Sequence, residues 1–91
     1  MARKYLRMFE VVNVCSVSRE FVLSLERERL IRPVLRKREK IFPLDQVDRI
    51  RVARVLIRDM GVNIEGVEVA LHMRAQIIHM RQMIAALLGR N

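Results

Sequence analysis

The chain has 91 residues, 52% hydrophobic, 31% charged and 4% aromatic, enough for one small domain and too apolar for a disordered tail. Eighteen Lys and Arg against ten Asp and Glu give a net charge of +8, which favours an anionic partner, nucleic acid first. A single cysteine and three glycines exclude an internal disulfide, a cysteine-cluster zinc site and a glycine-rich phosphate loop, so no enzyme chemistry, metal or cofactor is expected.

No run approaches the ~20 apolar residues of a membrane span, because Arg74 and Arg81 interrupt the greasiest stretch. The basic N-terminus (Met1-Ala2-Arg3-Lys4) is followed by Arg7, Glu10 and Asn13 rather than by a signal-peptide core. With one cysteine, this points to a cytoplasmic protein. The charge is uneven: residues 1–43 carry eleven basic and five acidic side chains.

Tyr5 to Met8 reads as a short extended piece, and Phe9 to Val14 as one or two helical turns offering Val11, Val12 and Val14 to a core. Cys15-Ser16-Val17 reads as a turn. Ser18 is a good N-cap for a helix from Arg19 to about Arg29, with Glu20 in the first turn where the helix dipole favours negative charge. Pro33 stops it, since the residue before a proline is pushed towards extended conformations. Between Pro33 and Pro43, apolar pairs flank a charged tip, the pattern of a β-hairpin whose turn lacks Gly, Asn or Asp. Arg32, Arg36, Lys37, Arg38 and Lys40 against Glu39 give +4 in nine residues. Such a cluster can contact several phosphates and release their counterions. Otherwise it is a solvated tip that blunts an edge strand.

Leu44 to Met60 is amphipathic, with Ile50, Ala53, Leu56, Ile57 and Met60 on one face, and the spacings Asp45/Arg49 and Asp48/Arg51 suit ion pairs. Gly61 suits the left-handed position after a helix end. Asn63 can cap the next helix, with Val62 and Val67 as its hydrophobic staple. The last helix, Ile64 to about Leu88, has two apolar arcs. One holds Ile64, Val67, Leu71, Ala75, Ile78 and Ala85; the other holds Ala70, Met73, Ile77, Met80, Ile84 and Leu87. A helix greasy on two arcs faces two partners. The first arc belongs to its own domain, and the second predicts a homodimer interface. His72 and His79, seven residues apart, lie too far along the axis to share a metal. Cys15 reads as core, and Met60, Met73, Met80 and Met83 as core or interface filler.

The order helix, turn, helix, basic hairpin, helix, helix resembles the winged helix-turn-helix of the MerR family. Val17-Ser18, Glu26, Leu30-Ile31, Pro33, Phe42, Asp45 and Val47 carry the resemblance. A closer match is Asp59-Met60-Gly61-Val62-Asn63-Ile64-Glu65-Gly66-Val67, followed by Val69-Ala70-Leu71 and Met73. That segment looks like the MerR-type heat-shock repressors and, more closely, the chaperone modulators of bacterial DnaJ-like co-chaperones. The resemblance runs from about Met8 to Met83. It implies a mainly α fold with a small β-hairpin, the second helix entering the major groove and the wing touching phosphate. Two departures stand out. Leu23 and Ser24 replace an Arg and a Tyr that grip DNA in the family, and Arg29 replaces a Gly that favours a left-handed backbone.

The expected arrangement is therefore one domain over 1–91: helix-turn-helix and wing in 1–43, amphipathic helix in 44–60, long C-terminal helix in 63–88. The expected function is a bacterial, nucleoid-associated, DNA-binding transcriptional regulator of chaperone or stress genes, a homodimer reading double-stranded DNA through Ser18, Arg19, Arg27, Arg36, Lys37, Arg38 and Lys40. The alternative is a chaperone modulator that holds the J-domain of a DnaJ-like co-chaperone through Arg51, Arg54 and Arg58. Neither a small-molecule effector nor a membrane partner is expected.

Overall fold

The computed structural model describes residues 3–89; Met1 and Ala2 of the basic N-terminal run, with Arg90 and Asn91, lie outside the described residues. Strand β1 (Tyr5–Arg7) leads directly into helix α1 (Met8–Cys15), and helix α2 follows at Arg19–Arg27. Strands β2 (Val34–Arg36) and β3 (Glu39–Pro43) form the wing, followed by helix α3 (Leu44–Arg54), a π-helical turn (Val55–Asp59) and helix α4 (Ile64–Leu87). The hairpin is part of a three-stranded antiparallel sheet in the order β1-β3-β2. Tyr5 pairs with Pro43 and Arg7 with Ile41, while Arg36 pairs with Glu39 across the tip.

Each helix end has a local cause. Ser16 holds a left-handed backbone (φ 55°), and the Val17 amide donates to the Val12 carbonyl, closing α1. Ser18 Oγ then accepts the Phe21 amide at 3.0 Å and starts α2 as the N-cap pattern predicts. Helix α2 stops two residues before the expected Arg29. The Leu30 amide donates to the Leu25 carbonyl and the Arg29 amide to the Glu26 carbonyl, a Schellman closure. Arg29 occupies the left-handed position of that motif at φ 60°. At α4, the Gly66 amide donates to Asn63 Oδ1 at 2.8 Å, and Gly61 is left-handed at φ 65°.

The core gathers Val11, Cys15, Val17, Val22, Leu25, Leu30, Ile31, Phe42, Val47, Ile50, Ala53, Val67 and Leu71. Val14, expected to be available to it, is exposed, because Val11 and Cys15 one turn apart already face inward. Met60 is 65% exposed instead of sharing the face of Ile50 and Ala53. The π-helical turn explains this: the Met60 amide reaches back five residues to the Val55 carbonyl, and the extra residue rotates the apolar stripe off register. The Asp45/Arg49 ion pair also does not form. Arg49 Nε donates to the Leu30 carbonyl at 2.9 Å, and Asp45 accepts from Gln46. Asp48 and Arg51 do pair, at 3.0 Å.

Only Val67 and Leu71 of α4 are buried. The helix contacts α3 and the π-helical turn and continues past the core, so Ala75 and Ile78 of the first arc, expected to face their own domain, are exposed. The radius of gyration is 14.4 Å and the extents are 42 × 34 × 19 Å, against ~12 Å for a compact chain of this length. Met73, Ile77, Met80, Ile84 and Leu87 all lie on exposed surface. With the half-buried Ala70 they recur at alternating steps of three and four residues, the spacing of a coiled-coil seam.

Candidate nucleic-acid interface

Arg19 stands exposed in the first turn of α2 and forms no ion pair among the described residues. The Ser18 hydroxyl beside it is used as the helix cap. Arg19 and Glu39 line one shallow hollow with Met8, Phe9, Val12 and Asn13. The start of α2 and the base of the wing tip therefore face the same side of the molecule. A second hollow is lined by Leu23, Glu26, Arg27 and Lys40, which sets Arg27 beside the wing.

Lys40 was expected in the cationic set, and the structure gives it a different partner. Its Nζ lies 2.6 Å from Glu26 Oε1, both partly buried. The pair ties β3 to α2 and so sets the angle between wing and helix. Arg36 stacks its guanidinium over the Tyr5 ring, 5.8 Å from the centroid, a cation–π contact that leaves its charge exposed. Arg7 Nε lies 3.4 Å from Glu39. Lys37 and Arg38 are exposed, with no ion pair among the described residues. They are the two loop residues of the hairpin, at φ 49° and 64°, the positive angles a type I′ turn requires. Asn or Gly adopts that conformation readily; two long cationic side chains do so at a cost of about 1 kcal/mol or more each.

At the positions where the resemblance implies an Arg and a Tyr, Leu23 is half-buried and Ser24 Oγ donates to the Phe21 carbonyl at 2.7 Å. Neither offers a group to DNA. The second basic stripe is partly engaged within the molecule, although Arg51 and Arg58 stay exposed. Arg51 pairs with Asp48. Arg54 is half-buried, with its Nε shielded and without a hydrogen-bond partner among the described residues. Arg58 lies over the Phe21 ring at 4.9 Å and donates to the Ser16 carbonyl at 3.3 Å. Asp48 also holds Arg74 of α4, and its carboxyl is lowered overall: burial opposes ionisation, and the Arg51 and Arg74 contacts outweigh it.

Two clusters escaped the sequence reading. Glu10 receives two hydrogen bonds from Arg3, at 2.6 and 2.8 Å, and one from the Arg7 amide at 2.9 Å. The Arg3 bonds first, then the Arg7 amide, lower its carboxyl pKa to about 2. The other is a hollow lined by Arg29, Leu30, Arg32, Gln46 and Arg49. Its arginines are three and seventeen residues apart, so no local pattern links them. Cys15 is buried, donates weakly to the Val47 carbonyl at 3.8 Å, and has its thiol pKa raised by burial. Among the described residues no three His, Cys, Asp or Glu side chains lie together as metal ligands do, and no helix is long and apolar enough to cross a membrane.

The family model described as MerR HTH family regulatory protein matches residues 6–88. No curated protein and no solved structure gives a significant match to the chain.

Proposed function

The chain belongs to the family of MerR helix-turn-helix regulatory proteins, and from that premise we propose that it is a cytoplasmic, homodimeric transcriptional regulator of chaperone or stress genes. The observation carrying this reading is the wing tip: Lys37 and Arg38 are strained into a tight turn without an ion pair among the described residues, on a wing whose Glu39 lines one hollow with Arg19 at the start of α2. Helix α2 would enter the major groove with Arg19 nearest the base edges, Ser18 closing its first turn and Arg27 towards the backbone. Arg36, Lys37 and Arg38 would rest on phosphate, with Lys40 holding the wing to α2 through Glu26. The seam Ala70, Met73, Ile77, Met80, Ile84 and Leu87 would join two copies, so that two α2 helices meet two half-sites.

Contacts to ~4 phosphates per subunit give an expected log–log salt slope near −7 for the dimer, at about −0.9 per phosphate. Duplex fragments titrated from low to moderate salt measure it. Affinity that is flat with salt, or no binding of any fragment at low salt, removes the reading.

One observation favours the chaperone-modulator reading. Phe9 (62%) and Leu35 (70%) are exposed apolar side chains close to the proposed DNA face, where a duplex would give them little and a protein partner much. In that case a J-domain would bind, the stripe Arg51, Arg54 and Arg58 would matter more than Lys37 and Arg38, and the same titrations with a J-domain in place of DNA would detect it.

A further inference from the structure

We infer that Arg29, Arg32 and Arg49 form a phosphate-binding basin between the closure of α2 and the first half of α3, distinct from Arg19 at the start of α2 and from the wing tip. The basin is a solvent-open hollow of about 240 Å³ lined by these three arginines with Leu30 and Gln46, and no carboxylate lines it. Lys40, Arg51 and Arg74 each sit against a carboxylate. The three basin arginines pair with none among the described residues. Three guanidiniums gathered round one hollow repel one another, and an oxyanion relieves that repulsion.

The hydrogen bonding of the lining specifies the sign of the ligand. The Leu30 carbonyl already accepts Arg49 Nε at 2.9 Å, and Gln46 Oε1 already accepts the Arg32 amide at 2.7 Å. Gln46 is itself held, its Nε2 donating to Asp45 Oδ2 at 3.0 Å. Both acceptors at the floor are engaged, while the terminal guanidinium nitrogens of all three arginines remain as donors. Fixing Arg49 through Nε leaves its planar end free to fork onto two oxygens. Arg29 adds an independent indication. It holds φ 60° at the position of a Schellman closure, where glycine is the unstrained residue. Backbone strain at such a place is retained where a side chain has work there.

A phosphate group suits this donor set better than a single carboxylate, because three forks meet several oxygens arranged tetrahedrally. The phosphate can belong to the DNA backbone, in which case the inference rests on the DNA reading above, or to a free phosphate-bearing molecule, in which case it does not. The test uses the full chain and the Arg29→Gly/Arg32→Gln variant, which leaves the Arg49–Leu30 bond in place. Glycine accepts the left-handed backbone, so a melting curve no lower than the parent's is expected.

Inorganic phosphate is titrated first, following the arginine Nε–H resonances by NMR. The parent should show a saturable shift at Arg49, and the variant should bind at least tenfold more weakly. Duplex DNA is then titrated against salt. A slope shallower by about 2 per subunit in the variant identifies a backbone phosphate. An unchanged slope, with phosphate binding lost, identifies a free phosphate ligand. If the parent binds phosphate but no duplex, the DNA reading falls and the basin stands. Equal phosphate affinity in parent and variant, or no saturable shift in the parent, overturns the inference.

Discussion

Gly66 shows how one residue can be required for a reason invisible in its own side chain. A Cβ there would lie 2.7 Å from Val62 Cγ1 and 3.1 Å from Asn63 Oδ1, so the hydrophobic staple and the cap of α4 both depend on its absence. In an ordinary helix Gly→Ala gains up to ~1 kcal/mol. Here overpacking of about 1–3 kcal/mol opposes that gain, and Val62, branched at Cβ, has little room to turn. Gly66→Ala is expected to destabilise by about 1 kcal/mol, read by chemical denaturation at constant m. Glu10 gives a pH prediction. Its carboxyl titrates at about 2 in the folded chain against 4.5 ordinarily, so its stabilising contribution is complete above 4.5 and is lost as pH falls towards 2. Glu10→Gln should therefore melt below the parent at neutral pH, with the gap closing across that window. A gap independent of pH would show that the Arg3 and Arg7 contacts add nothing through charge.

At the scale of elements, the wing sets stability against function most directly. Lys37 and Arg38 hold the two positive-φ positions of the turn. Lys37→Asn with Arg38→Gly supplies the residues that turn prefers and is expected to stabilise by about 1–2 kcal/mol. The same change removes two exposed charges per subunit, so DNA affinity should fall on every sequence alike, with the salt slope shallower by about 2 per subunit. A variant that melts higher yet binds DNA as tightly as the parent would make the tip a solvated loop. The N-caps of α2 and α4 were legible because their bonds join near neighbours, Ser18 to Phe21 and Asn63 to Gly66; the closure of α2 was not, because Arg29 takes the left-handed position with no glycine to mark it. The type of the wing turn was not, because Lys-Arg carries no turn signal and the strand register imposes it. The π-helical turn was equally hidden. Val55, Leu56 and Ile57 continue an α-helical stripe on paper, and the wider turn shows only in the bond from Met60 to Val55.

For the whole molecule, the central question is what covers the outer length of α4. Met73, Ile77, Met80, Ile84 and Leu87, with Leu87 85% exposed, form a row of exposed apolar side chains, the kind of surface that marks an interaction site when contiguous. Ile77→Glu with Ile84→Glu leaves the buried core untouched, so single-chain folding should shift by no more than ~0.5 kcal/mol. Sedimentation at tens of micromolar should then give a dimer for the parent and a monomer for the variant. A parent that sediments as a monomer removes the proposed interface. A monomeric variant that still binds DNA should do so with about half the parent's salt slope, since each subunit contributes its own phosphate contacts.

The order of elements, the basic hairpin, the glycine and asparagine at the start of the last helix, and its two apolar arcs were all determined by the sequence alone. These features rest on periodicity and on hydrogen bonds between residues at most a few positions apart, which a linear reading contains. What only the tertiary structure decided is the fate of the arginines and lysines. Lys40 meets Glu26 from 14 residues away, Arg74 meets Asp48 from 26, and Arg58 reaches the Ser16 carbonyl from 42. Arg29, Arg32 and Arg49 meet round one hollow for the same reason. A net charge of +8 is a sum over the chain; which charges are neutralised and which face outward depends on how the helices and the wing pack, because ion pairing falls off within a few ångströms of contact.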